Sequence, residues 1–371
     1  MRGMKRSFAA IVAAAVACAA GSVPAGASDG SKPPALEFLG QAIVPTGTTF
    51  AGTTVGGLSS IAYDAGRGVF YSLSDDQSQL NPARFYTLRV DVSDGQLNNG
   101  DVSFTGVTTL LAPDGAPYPT ASLDPEGLTL AKSGELIVTS EGIATRGIAP
   151  WVRRYSLGGM FLGDLPVPDA FLPTSAAHGV RQNLAFEAAA VAPNGRHLFV
   201  GMENALVQDG PAATLTTESP SRILRYNLAT GRLDAQYVYV NDRVAEPPVP
   251  ATNFSVNGLV ELLPFNDNFM LSMERSFSVG APGTGNTIKL YSVAFPGAGD
   301  VDGLESIAGT TVRPVEKTLL LDLRTLGIPL DNVEGMTIGP TLPDGRRSLV
   351  LVSDNNFAPA QFTQFLLFAL D

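Results

Sequence analysis

Glu126-Gly127-Leu128-Thr129-Leu130, a turn at Lys132-Ser133-Gly134, and then Ile137-Val138-Thr139-Ser140-Glu141 decide how this chain folds. Alternating apolar residues run into a glycine-containing turn and return as a β-rich run, the pattern of an antiparallel hairpin. An acid opens the first arm and another closes the second. The same phrase recurs at intervals of about seventy residues, and such a repeat outranks any local reading. Upstream, Gly57-Leu58-Ser59-Ser60-Ile61-Ala62 passes through Ala65-Gly66-Arg67-Gly68 to Tyr71-Ser72-Leu73-Ser74-Asp75-Asp76. Downstream, Glu187-Ala188-Ala189-Ala190-Val191 turns at Pro193-Asn194-Gly195-Arg196 and ends at Gly201-Met202-Glu203. Asn257-Gly258-Leu259-Val260-Glu261 turns at Asn266-Asp267-Asn268 and ends at Ser272-Met273-Glu274. Glu334-Gly335-Met336-Thr337-Ile338 turns at Pro343-Asp344-Gly345 and ends at Val352-Ser353-Asp354.

A third strand with an aromatic centre follows in each unit: Phe85-Tyr86-Thr87-Leu88, Arg154-Tyr155-Ser156-Leu157, Arg225-Tyr226-Asn227-Leu228, Leu290-Tyr291-Ser292-Val293 and Leu367-Phe368-Ala369-Leu370. Fourth strands are expected near 102–111, 160–167, 233–240 and 316–322. The last unit has none of its own before Asp371, and a spare strand, Leu36–Val44, precedes the first unit. Repeated four-stranded sheets, one completed by the N-terminal strand, predict an all-β fold: a five-bladed β-propeller over 36–371, with its sheet edges removed by ring closure. Six blades is the alternative, should the long connections at 204–221 or 296–315 hide strands. No helix pattern is left over.

The first 27 residues stand apart. Arg2, Lys5 and Arg6 precede an apolar run, Phe8–Ala20, and the small-residue site Ala25-Gly26-Ala27. That is the layout of a secretory signal peptide, with an apolar run too short to span a bilayer. Export to the periplasm or medium is expected, with a short disordered segment at 28–35. Cys18, the single cysteine, follows Ala15-Val16-Ala17, which leaves a lipid anchor as a second reading of this segment. Either way the remaining chain has no disulfide, so its core alone must hold it. The net charge of the 371 residues is −11, and the first 27 carry three of the 24 basic residues and none of the 35 acidic ones. So acidic a chain repels nucleic acid and anionic membranes and suits divalent cations. No later run is apolar enough to span a membrane, and a monomer is expected.

Propeller geometry gathers the acids. The first two strands of a blade form a hairpin, so the start of one lies beside the end of the other. First strands line the central channel. Glu126 with Glu141, Glu187 with Glu203, Glu334 with Asp354, Asn257 with Glu274, and Gly57 with Asp75 and Asp76 are therefore expected around one channel mouth. Asp124 and Asn332, each two residues upstream of a leading Glu, belong to the same rim. Carboxylates this crowded must be protonated, paired or metal-bound. An all-oxygen donor set suits Ca²⁺. Arg275 and Arg181 are the nearby basic residues.

Other chemistries lack their residues. The chain has two histidines, His178 and His197, too few for a histidine-rich zinc site. His178-Gly179-Val180-Arg181 lacks the arginine that a phosphate-accepting histidine motif carries before it; Ala177 stands there. There is no Gly-x-Ser-x-Gly elbow, Walker loop or dinucleotide fingerprint. Attack by water, assisted by carboxylates and a metal, remains.

Three segments carry a family resemblance: Asp124-Pro125-Glu126-Gly127-Leu128 to Ser140-Glu141-Gly142; Asn183-Leu184-Ala185-Phe186-Glu187; and Asp331-Asn332-Val333-Glu334-Gly335-Met336 to Ser353-Asp354-Asn355-Asn356. From about Gly57 onward the chain resembles the phytase-like esterase domain family. It departs where Gly57 and Asn257 stand in place of a leading Glu. The resemblance implies an exported propeller with esterase or phytase-type activity on a small phosphoester or ester. On that basis Ca²⁺ is expected on Asp75, Asp76, Glu141, Glu203, Glu274 and Asp354, with Arg275 as a phosphate auxiliary. Glu126, Glu187 or Glu334 would act as general base. A lactonase-type calcium propeller and a non-catalytic binding propeller are the alternatives.

Overall fold

The computed structural model describes residues 34–371; residues 1–27, expected to be a signal peptide, and residues 28–33 lie outside the described residues. Five sheets of four antiparallel strands follow one another along the chain. Blade 1 runs through Leu58–Asp64, Val69–Ser74, Arg84–Val90 and Val102–Thr109. Blade 2 comprises Pro125–Leu130, Leu136–Ser140, Trp151–Tyr155 and Phe161–Leu165. Blade 3 comprises Phe186–Val191, His197–Met202, Ser219–Asn227 and Arg232–Asn241. Blade 4 comprises Ser255–Asn266, Phe269–Ser278, Asn286–Ala294 and Glu316–Asp322. Blade 5 comprises Asn332–Thr341, Arg347–Asp354 and Thr363–Leu370, with Leu36–Val44 paired along its outer edge from Leu36↔Leu370 to Val44↔Thr363.

Among the described residues, 204–218 and 296–315 contain no strand, so the blade count is five and the six-blade alternative falls. Among the described residues helix is confined to three 3₁₀ turns, Ala144–Arg146, Asp169–Phe171 and Leu323–Leu326. Among the described residues no helix is long and apolar enough to cross a membrane.

Strand periodicity explains why blades stack. Successive side chains point to opposite faces, and a middle strand sandwiched between two blades must be apolar on both. Thr363–Leu370 shows this directly: Phe365, Leu367 and Ala369 enter the core shared with blade 1, while Leu366, Phe368 and Leu370 enter the core shared with blade 4. The aromatic third strands do the same, with Tyr86, Tyr155 and Tyr226 each fully buried between blades. Each inner strand lies against the inner strand of the next blade, and that of blade 5 lies against that of blade 1. The five inner strands therefore converge, and what they carry at one end meets.

Candidate functional site

Register determines what points into the channel. Across each inner hairpin, one residue of the second strand or just past it opposes the rim residue that lies two positions before the bulge of the first. Asp75 N–H donates to Gly57 O (2.8 Å), Glu141 N–H to Asp124 O (2.9 Å) and Glu203 N–H to Ala185 O (2.7 Å). In blades 4 and 5 the equivalent pairs are Gly258↔Arg275 and Asn332↔Asp354. The ring at this level is therefore Asp75, Glu141, Glu203, Arg275 and Asp354: four acids and one arginine.

Two residues further along each inner strand, the ladder breaks. The register shifts between Leu58 and Ser60, Pro125 and Leu128, Phe186 and Ala188, Leu259 and Glu261, and Val333 and Gly335. Such bulges re-aim a side chain and are common beside active sites. Glu126, Glu187 and Glu334 occupy three of them. Ser59 and Val260 occupy the other two, rather than the Gly57 and Asn257 that pattern matching aligned with the leading acids.

This correction moves Glu274 out of the expected site. It lies one residue before the ring position that Arg275 holds, and a one-residue step reverses the side chain. Its carboxylate points away from the mouth, ion-paired with Lys317 and accepting from Tyr239 Oη (2.9 Å), Asn257 Nδ2 (2.8 Å) and Asp242 N–H (3.0 Å). Asp76 does reach the cavity, but pairs with buried Arg84 (2.7 Å) and accepts the N–H groups of Gln79, Leu80 and Asn81. Its role in the structure is to hold the loop after blade 1's second strand. Arg181 is spent on the carbonyls of Ala205 and Gly210. His178 contacts Leu172 O and Glu305, and His197 contacts Asp267; neither histidine lines the cavity.

The remaining candidates meet. A cavity of ≈ 600 Å³ is lined by Asp75, Glu126, Glu187, Glu203, Arg275, Glu334 and Asp354, joined by Asp124. Glu141 sits just behind. Carboxylate oxygens of Asp124, Glu126 and Glu141 come within 4.8 Å of one another, and so do those of Glu141, Glu187 and Glu203. The two trios share Glu141. Within the described residues, Asp75 Oδ1, Asp124 Oδ2, Glu141 Oε2 and Glu203 Oε1 are buried and accept no hydrogen bond. Such orphaned acceptors are costly, and an ion is one way to satisfy them.

The division of labour expected from the sequence is redrawn. Glu126 and Glu187, expected as bases, stand in the trios. Asp75, Asp76, Glu274 and Asp354, expected as ligands, do not. Asp124 was legible only as a rim residue two positions before Glu126. Glu261 was not singled out at all. It is buried at the start of the regular ladder in blade 4, accepting from Leu262 N–H (2.9 Å) with Ser60 Oγ and Met336 N at 3.4 Å. Its place directly after a bulge is set by the folded register, so nothing in the sequence marked it.

Electrostatics follows from burial. Desolvation raises the pKa of Glu126, reinforced by Glu187 and Asp124. It raises Glu187, with Glu141 and Glu203 adding, and Glu141, with Asp124 and Glu203 adding. Burial pushes Asp124 up to about 6, Glu203 to about 7, and Asp354, beside Glu334, to about 8. Burial opposes the Arg275 charge, but Glu334, Glu203 and Glu187 outweigh it and raise its pKa. Arg275 Nη2 donates to Glu334 Oε1 (2.7 Å) and lies 3.6 Å from Glu203 Oε1. Asn332 Nδ2 bridges Glu334 Oε1 (2.9 Å) and Asp354 Oδ2 (3.2 Å).

No curated protein matches the chain. Among solved structures, an endo-arabinase from Bacteroides thetaiotaomicron is similar at 12% identity, covering 89% of this chain and 96% of its own, with a TM-score of 0.43. A periplasmic gluconolactonase from Pseudomonas aeruginosa is similar at 12% identity, covering 90% and 96%, with a TM-score of 0.35. Similarity at this level carries no argument about the site. The family described as phytase-like, esterase-like activity of phytase, matches residues 53–357, which takes in blades 1 to 4, the two inner strands of blade 5 and every acid of the mouth. The chain belongs to that phytase-like family.

Proposed function

We propose that the protein is an exported, calcium-assisted ester hydrolase acting on a phosphomonoester at the acidic mouth. Family membership supports a hydrolase. The observation that carries the finer reading is the pair of carboxylate trios sharing Glu141, with orphaned buried oxygens on Asp124, Glu141 and Glu203. All-oxygen, anionic and dehydrated donors fit a hard divalent cation. Asp124, Glu126, Glu141, Glu187 and Glu203 would hold it. Bound there, calcium would neutralise part of the acidic field and polarise an ester oxygen.

The chain's own groups supply the rest. Arg275, fixed by Glu334 and Glu203, offers a cation to a phosphoryl oxygen. Glu334 is held against Arg275, and it takes the proton of the attacking water. Asp354 keeps its proton near neutrality and donates it to the departing alcohol oxygen as the ester bond breaks. Burial raises both carboxyl groups; at Glu334 the Arg275 charge and its hydrogen bond work against that rise. Asn332, bonded to both, sets their spacing.

The test is hydrolysis of p-nitrophenyl phosphate and p-nitrophenyl acetate by pure protein, with calcium and with EGTA, for the wild type and Glu141→Gln. Calcium-dependent phosphate release, lost in the variant, is expected. Absence of any calcium-dependent turnover would sink the hydrolase reading. A carboxylic ester or lactone is the second reading, favoured because Arg275 is the sole Lys or Arg lining the cavity among the described residues. Acetate release without phosphate release would select it.

A further inference from the structure

The floor of the cavity is acidic, but its rim is not. Phe254, Val256 and Phe277 line it from blade 4, and Leu80 and Phe357 line it from the blade 1 and blade 5 loops. Phe277 follows Arg275 by two residues on one strand, so the two share a face. Its ring lies 6.4 Å from that of Phe254, tilted by 43°. Phe254 is 62% exposed and Leu80 56% exposed, among the most exposed large apolar side chains of the described residues. An isolated exposed apolar residue needs no explanation, but a set converging on one small-molecule-sized cavity does.

Phe357 adds a separate observation. Asn356 and Phe357 are consecutive non-glycine residues with φ of 46° and 51°. That region is rare for a bulky side chain, and strain of this kind gathers at ligand sites. The loop is over-determined: Asn355 Oδ1 accepts from both Phe357 N–H and Gly57 N–H (3.1 Å each). The Phe357 ring is seated over Gly57, where an added Cβ would lie 2.8 Å from it. The backbone thus holds an aromatic ring at the cavity beside Asp75.

The rim disfavours the opposite kind of ligand. Among the described residues Arg275 is the one Lys or Arg lining the cavity, and it is already paired with Glu334, so further phosphates would depend on bound calcium, and the apolar rim side chains offer them no partner. We infer that the rim formed by Phe254, Phe277, Leu80 and Phe357 is a subsite for an apolar, preferably aryl, alcohol portion of the substrate. The substrate is then a single ester of an apolar alcohol rather than a polyphosphorylated polyol. This rests on the hydrolase reading for its chemistry, but not for its binding.

Two measurements separate the claims. The first compares kcat/KM for 2-phenylethyl phosphate and glycerol 1-phosphate, both esters of primary alcohols, or for the matching acetates if those are the esters cleaved. A preference of roughly ten- to hundredfold for the phenylethyl ester is expected. Phe254→Ser and Phe357→Gly should each cut that preference several-fold, through KM rather than kcat. Glycine suits the backbone at 357, so that variant keeps the fold. The second measures 2-naphthol binding to calcium-loaded protein by NMR, with no turnover needed. Binding weakened by both substitutions, without hydrolysis of any ester, would sink the hydrolase reading and uphold the subsite. Hydrolysis with no preference, or a preference that survives both substitutions, overturns the subsite. Neither turnover nor naphthol binding overturns both.

Discussion

Glu274 and Arg275 are neighbours in sequence and opposites in placement. Arg275 faces the channel among acids; Glu274 faces the blade 3 interface with Lys317 and Tyr239. Breaking a buried ion pair from one side leaves an uncompensated charge. Lys317→Met should therefore lower stability by about 3 kcal/mol, the low end for such pairs because Lys317 keeps some solvent contact. Urea unfolding measures this, and calorimetry should find calcium affinity unchanged. A weakened calcium affinity would put Glu274 back in the site. Arg275→Gln should do the reverse. It removes the one Lys or Arg that lines the carboxylate cavity among the described residues, so calcium should bind several-fold more tightly while phosphomonoester turnover falls. Tighter substrate binding by the variant would contradict the role given to Arg275.

At the scale of the element, the bulge does the positioning. A regular ladder would alternate every inner-strand residue between channel and blade interface. The shifts at Glu126, Glu187 and Glu334 turn these side chains toward the mouth without changing the strands beyond them. Crowding at the rim demands small residues next to them. A Cβ on Gly57, whose φ is 62°, would lie 1.9 Å from Asp75 Oδ1, and one on Gly258 would lie 2.2 Å from Glu203 Cγ. Gly258 therefore makes room for the acid of the neighbouring blade. Gly258→Ala should displace Glu203 and weaken calcium binding roughly tenfold, an effect of the size seen when a ligand's support is lost. Terbium luminescence or calorimetry checks it. Unchanged affinity would mean that Glu203 is not a ligand.

Across the whole molecule, closure packs like charges together, and pH governs the cost. Burial raises the folded pKa values of Asp124, Glu203 and Asp354 to about 6, 7 and 8, from ordinary carboxyl values of 3.8, 4.5 and 3.8. The folded state then binds more protons than the unfolded state between those limits, so stability falls as pH rises. Without divalent cation, the melting temperature should drop steadily from about pH 4 to pH 8, the interval those pKa values span. Calcium binding requires the deprotonated acids, so its stabilisation should grow over the same range. Thermal melts in EGTA and in calcium from pH 4.5 to 8 check both trends. A metal-free protein that gains stability with rising pH would contradict the protonated mouth.

Blade architecture was legible because it is local. Hairpin turns such as Pro193-Asn194-Gly195-Arg196 and two-faced apolar strands such as Phe365–Leu370 declare a stacked sheet from neighbouring residues alone. The same spacing showed that acids lie at strand ends, and Asp75, Glu126, Glu187, Glu203, Glu334 and Asp354 do share one cavity. Which acid faces inward was not legible. Side-chain direction reverses at every residue and slips again at each bulge, so a pattern read one position out exchanges Glu274 for Arg275. The pairing of Glu141 with Asp124 and Glu126 on its own blade, and with Glu187 and Glu203 on the next, likewise depends on blade-to-blade distances. Sequence alone determined strands, turns and charge; tertiary closure decided which carboxylates come within 4.8 Å of one another and which stay apart, because only the folded register sets the sub-nanometre distances between them.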